Sequence, residues 1–234
     1  WFALDGEKAE YEYSYNYQNW YPSAEYETHN TTKNVGLFDL TPFSKFEIIS
    51  DNAHQELQRI CTANIKNEIG KCTYTHMLNS DGGIETDLTV VCLDKNHFRL
   101  ISSAATRERD KFHIKKHLSN EIKIKDVTDN FCVFGLFGPK SRDLIKMISN
   151  DDFENENFKF GTGKNISIEG VKVWAQRLSY VGELGFELYV EFNDTKKIYE
   201  LIIDAGKNFN LSNCGMHAMD IMRMESGFLH WGHD

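Results

Sequence analysis

The sequence predicts an α+β fold with mixed, largely antiparallel sheets and helices. Strand-like and helix-like segments alternate along the chain, and hairpin signals such as "NSDGGIE" sit among them. The chain has only three prolines, and no proline-rich linker divides its body. At 234 residues it is long enough for one large domain or two small ones with a real core.

The elements follow in order. Residues 1–34 are rich in Tyr, Trp, Glu and Asn with weak periodicity. They read as an irregular arm that packs on the body or on a neighbour. The ordered body begins near "VGLFDLTPFSKFEII", where strand-type residues lead into Ser50-Asp51 as an N-cap. The helix after it sets Ala53, Leu57, Ile60 and Cys61 on one face. Gly82-Gly83 makes a tight turn. Beyond it, "IETDLTVV" places Ile84, Thr86, Leu88 and Val90 on one face, and Glu85, Asp87, Thr89 and Val91 on the other. "FCVFGLFG" is strand-like and runs into Pro139, a first-turn residue, and the helix "KSRDLIKMIS". "LSYVGELGFELYV" alternates as a strand from Tyr180 and leads to Asp194 as an N-cap. The helix "TKKIYELIIDAG" follows, with Ile198, Leu201, Ile202 and Ala205 inward and Gly206 as terminator. A last helix, "MHAMDIMRMESG", is closed by Gly227. The three strand–helix units have the form of a diverged internal repeat.

Composition narrows the function classes. Apolar residues make up 41% and aromatics 13%, which argues against disorder. A net charge of -9 argues against a general nucleic-acid surface. No apolar run approaches the roughly 18 residues of a membrane span. The five cysteines are widely spaced with no CxxC, which favours free buried thiols in a reducing compartment. The expected location is the cytoplasm, or the mitochondrial matrix in a eukaryote. The nine histidines include no HExxH, and His230 and His233 lack a partner at ligand spacing, so no metal site is expected. The start "WFALDGEKAE" lacks a basic n-region and an apolar h-region, and reads as the inside of a longer chain.

Three stretches carry candidate chemistry. In "YTHMLNSDGGIETDLTVV", Asp87 either belongs to a wet strand face or stands at the edge of a pocket. At a pocket edge it could position a nitrogen nucleophile or relay its proton. Gly82-Gly83 lacks the Lys-Ser/Thr and helix of a phosphate loop. In "LSYVGELGFELYV", Glu187 needs donors on a half-buried strand. Arg177 or Arg223 could supply them, or a ligand with two N–H groups side by side. Glu183 belongs to the same stretch with a structural role only. In "MDIMRMESGFLHWGHD", Arg223 either pairs with Asp220 or Glu225 or points into the pocket, with Trp231 as an aromatic wall.

Taken together, "YTHMLNSDGGIETDLTV", "SYVGELGFELY" and "DIMRMESGFLHWGHD" resemble the tetrahydrofolate-dependent aminomethyltransferase family. That family includes the glycine cleavage T-protein and the folate-binding regions of dimethylglycine and sarcosine dehydrogenases. The resemblance covers roughly residues 35–234, in the family's order. It implies a cloverleaf lacking its third, barrel subdomain, with two intertwined α/β subdomains split near residue 130. Residues 1–34 would be an arm or junction from an upstream flavin oxidoreductase domain, as "WFALDGEKAEY" and "NWYPSAEYE" resemble.

The resemblance also implies roles. Asp87 would be the essential carboxylate beside the reactive folate nitrogens. Tyr74, Tyr180, Arg223 and Trp231 would line the pocket, and Glu187 would grip the pterin edge. The cofactor would be tetrahydrofolate, with FAD only in an upstream domain. The T-protein has two adjacent aspartates where this chain has Thr86 and Asp87, which fits the dehydrogenase branch better. The expected function is capture of a methylene from an oxidised N-methyl amine as 5,10-methylenetetrahydrofolate. Glycine cleavage, folate-dependent demethylation, a non-catalytic folate-binding or regulatory domain, and a purely structural domain remain as alternatives.

Overall fold

A computed structural model describes Gly6 and residues 8–234. Most of the "WFALDGEKAEY" junction lies outside the described residues. The order is α1 (Tyr21–Lys33), β1 (Gly36–Asp39), β2 (Ser44–Ile49), α2 (Ala53–Ile60), β3 (Cys72–Leu78), β4 (Ile84–Asp94) and β5 (His97–Ser102). Then come α3 (Arg107–His117), β6 (Ile124–Asp126), β7 (Phe131–Phe137), α4 (Ser141–Ile148), β8 (Gly163–Ile168) and β9 (Val171–Gln176). β10 (Gly185–Glu191), α5 (Thr195–Gly206), β11 (Ser212–Cys214) and α6 (Met216–Glu225) complete it.

The strands form two open sheets. One has six strands in the order β11-β1-β7-β10-β9-β8, and the other five in the order β3-β4-β5-β2-β6. Every pairing is antiparallel except β1 with β11. This is the mixed, largely antiparallel α+β fold that the alternating segments and hairpin signals predict. Neither sheet closes into a barrel among the described residues.

Each sheet buries one face under helices. Leu136, Phe186, Leu188, Leu144, Ile198 and Ile202 belong to one core. Phe46, Ile48, Leu57, Leu88, Leu100 and Ile114 belong to the other. A third cluster joins the two: Val91 with Val133, Phe137, Trp174 and Tyr189, together with Met219 and Met222 of α6. Tyr180 and Tyr189, which flank the candidate carboxylate Glu187 in sequence, belong to this third cluster.

Five expectations need correction. Pro139 precedes Lys140, the N-cap of α4, and is not in its first turn. Gly206 is helical inside α5, and the run ends only at Asn210, φ +53°. Residues 21–33 are a helix, not an irregular arm. The buried face of α1 is polar, so hydrophobic periodicity does not show it. Glu27 accepts from the Gly215 amide at 2.7 Å, and Asn30 donates to Asn210 O and Ser212 Oγ at 2.7 and 2.8 Å. The helix after Ser50-Asp51 takes Asn52 as its N-cap, because Ser50 Oγ instead accepts from the Asn52 amide at 3.3 Å. Residues 178–184 are not strand, 180–184 being bends, and the strand begins only at Gly185. Gly182 has φ +78°, outside any strand, and a Cβ there would lie 2.0 Å from Ser226 Oγ. α6 therefore ends directly against this bend.

Candidate functional site

β3 and β4 meet at a turn where Asn79 Oδ1 accepts from the amides of Asp81 and Gly83, at 3.0 and 2.9 Å. Gly82 takes φ +81° there. The alternation predicted for β4 holds: Thr86, Leu88 and Val90 are buried. Asp87 shares the opposite face with Val91, which belongs to the cluster between the sheets. Tyr74 of β3 donates to Asp87 Oδ2 at 3.1 Å, and its hydroxyl lies 3.4 Å from His76 Nε2. Asp87 Oδ1 has no protein partner among the described residues. Burial first, then the Asp87 charge, pushes the Tyr74 phenol up.

The bend and the residues after α6 close over this group. Tyr180 donates to Leu229 O at 3.1 Å and stacks on Phe228 at 6.0 Å. Burial raises the Tyr180 phenol, Arg223 lowers it and Asp87 raises it, so all three share one environment. Arg223 is buried. It donates to Asp220 at 2.7 Å, Asp234 at 2.5 Å and Phe228 O at 3.1 Å. Trp231 lies under the Arg109 guanidinium, 4.3 Å from ring to Cζ. Arg109 also donates to Glu85 O. The structure thus gathers Tyr74, Asp87, Tyr180 and Arg223, and ties Trp231 to them through α3.

Glu187 stands on β10, on the face it shares with Tyr189. Its Oε2 accepts from Gln176 Nε2 at 3.2 Å and from Tyr189 Oη at 3.0 Å. Neither arginine that could neutralise it does so. Arg177 donates to Phe158 O at 2.6 Å, and Arg223 holds its two aspartates. Burial pushes the carboxyl up to about 7, against the pull of the Tyr189 and Gln176 hydrogen bonds. Its other oxygen has no protein partner among the described residues. No hydrogen bond or ion pair joins Glu187 to the Asp87 group. Glu183, also raised by burial, has no partner among the described residues.

Sequence reading missed Gln176, which is fully buried. A glutamine ending the apolar strand "VKVWAQ" was the available signal. It also missed His76, the cross-strand partner of Asp87. All five cysteines are free. Among the described residues no group of His, Cys, Asp or Glu could hold a metal ion, and no helix is long and apolar enough to cross a membrane.

Two open, largely antiparallel sheets with helices on their faces define an α+β domain of the aminomethyltransferase fold. The glycine cleavage system aminomethyltransferase T from Bartonella henselae superposes with a TM-score of 0.79 at 20% identity, covering 95% of this chain and 60% of that one. The chain belongs to the GCVT N-terminal domain family, which matches residues 3–234. It is 34% identical over 235 aligned residues to the 4-methylaminobutanoate oxidase (formaldehyde-forming) of Paenarthrobacter nicotinovorans. It is 32% identical over the same length to the mitochondrial dimethylglycine dehydrogenase of Rattus norvegicus. Those alignments cover 100% and 99% of this chain but only 28% and 27% of the relatives.

Proposed function

We propose that this chain binds tetrahydrofolate and transfers a one-carbon unit to it. The unit is a methylene from an oxidised N-methyl amine of the sarcosine or dimethylglycine type. The observation that carries the reading is the pair of carboxylates. Each has one oxygen fixed by a tyrosine hydroxyl and the other left without a protein partner. A reduced pterin offers paired N–H donors to one and a nitrogen that loses a proton to the other, so the residues present fit it.

When bound, tetrahydrofolate supplies the nitrogens that take up the one-carbon unit. Glu187 orients the ligand by accepting its ring N–H groups. Asp87 receives the released proton on Oδ1 while Tyr74 fixes Oδ2. Tyr180 and the segment it anchors keep water from the reacting atoms. Much of the rate gain comes from holding both reactants in place. The reading assigns amine oxidation, and any FAD, to another part of a longer protein, in keeping with the 27–28% coverage of the relatives.

The test uses the full-length protein with sarcosine and dimethylglycine, each with and without tetrahydrofolate. Asp87→Asn is expected to lower folate-dependent product formation about 100-fold. Product formation at the wild-type rate overturns the role of Asp87.

A further inference from the structure

We infer that Trp174 and Gln176 are positioning residues that fix which oxygen of Glu187 is offered to the ligand. The inference rests on the reading of Glu187 as the ligand-gripping carboxylate.

Four side chains form a square across two strands. Tyr189 lies opposite Trp174 and Glu187 opposite Gln176. Indole N–H can only donate. Trp174 Nε1 donates to Gln176 Oε1 at 3.1 Å, which settles the orientation of that amide. Gln176 Nε2 is then forced toward Glu187 Oε2 and Tyr189 Oη, at 3.2 and 3.4 Å. The Tyr189 hydroxyl in turn donates to the same Oε2. Both donors converge on one oxygen, so the other keeps its lone pairs for a ligand.

The neighbouring strands leave room for this arrangement. Glu187 lies opposite Gly135 on β7, where the Phe137 ring and Leu40 fill the space a Cβ would take, so that side offers it no polar partner. On β8, a Cβ at Gly163 would lie 2.8 Å from the Trp174 ring. The glycine leaves room for the indole, whose N–H reaches Gln176. The other titratable groups facing Glu187 are Tyr189 on its own strand and Cys72 on β3, and Arg99 on β5 reaches Tyr189. None of these is a cation paired with Glu187, so its orientation rests on the two hydrogen bonds.

Trp174→Phe keeps a ring and removes the donor, and Gln176→Leu keeps the volume and removes both polar groups. The probe is tetrahydrofolate, titrated by calorimetry into the full-length protein from pH 5 to pH 9. Each variant is expected to weaken binding about tenfold. Each is also expected to move the midpoint of the pH dependence upward, because Glu187 loses a donor to its ionised form. A structural role alone would lower the melting temperature and leave that midpoint in place. Glu187→Gln is the reference. If it weakens binding while both variants keep wild-type affinity and midpoint, the positioning role is overturned. If Glu187→Gln itself leaves affinity unchanged, the reading of Glu187 fails instead.

Discussion

Glu187→Gln is expected to stabilise the fold and weaken ligand binding at once. Burial lifts this carboxyl from 4.5 to about 7. The native state therefore binds a proton more tightly than the unfolded chain across that window. Stability from this site falls as pH rises through the window and levels off above it. A shift of this size corresponds to about 3 kcal/mol as an upper bound, because solvent still reaches the half-buried carboxylate. Linkage then gives a penalty of about 3 kcal/mol at pH 8 and about 1 kcal/mol at pH 5. Glutamine is isosteric and uncharged, and its carbonyl can still accept from Gln176 and Tyr189. The variant should thus gain about 2 kcal/mol more at pH 8 than at pH 5. Denaturant unfolding at the two pH values measures this difference. Calorimetry with tetrahydrofolate should show affinity weakened tenfold or more, since an amide N–H replaces the free acceptor. An equal gain at both pH values, or a loss at pH 8, would refute the reasoning.

Three further outcomes follow from the geometry. Glu47 is held at about 2: burial would raise it, but hydrogen bonds from His97 and Arg99 and the Arg99 charge prevail. Glu47→Gln leaves Arg99 buried without its partner and should cost about 3 kcal/mol in denaturant unfolding. Gly182→Ala meets both φ +78° and Ser226 Oγ at 2.0 Å. It should lower stability by about 1–3 kcal/mol, read as a fall in melting temperature. Asp234 is held below the usual carboxylate range, first by Arg223 and then by the His230 amide. Its contribution is present at neutral pH and lost as acid protonates it. Asp234→Asn should therefore speed hydrogen exchange at the His230 amide at pH 7, and unchanged exchange would refute that anchor.

Fold class and the placement of several candidate residues were legible because their signals are local. The alternation of "IETDLTVV" sets Asp87 opposite Thr86 in burial, and the structure keeps that division. α5 buries Ile198, Ile202 and Ala205 as its periodicity requires. What sequence could not show depends on contacts between distant segments. α3 reads "RERDKFHIKKH" and buries only Asp110 and Ile114, so it has no apolar stripe to detect. α1 buries Glu27 and Asn30 against residues about 180 positions away. Alternation over residues 178–184 pointed to a strand, yet Gly182 takes a positive φ so that the bend can meet Ser226. The Glu187 position was legible, and so was Tyr189 two residues along the same strand, but Gln176 became a donor only once β9 and β10 paired.

The two sheets also divide their charges in a way that bears on the site. The face of β2 and β5 toward the shared cluster carries Lys45, Glu47 and Arg99. Lys45 is spent on Thr41 O and Phe43 O, at 2.9 and 2.6 Å, and burial lowers it to about 8. Arg99 lies 4.3 Å from the Phe131 ring and 5.4 Å from that of Tyr189, yet its ion pair is with Glu47 at 2.6 Å. The arginine that reaches Tyr189 is therefore already neutralised. Paired with Glu187 instead, it would hold that carboxylate ionised and occupy its free oxygen. A ligand would then have to break a buried ion pair to bind. With Glu47 holding Arg99, Glu187 stays half-buried, its carboxyl raised to about 7 and one oxygen without a protein partner. That is an unfavourable state for the folded protein alone, and a ligand with matching N–H donors relieves it.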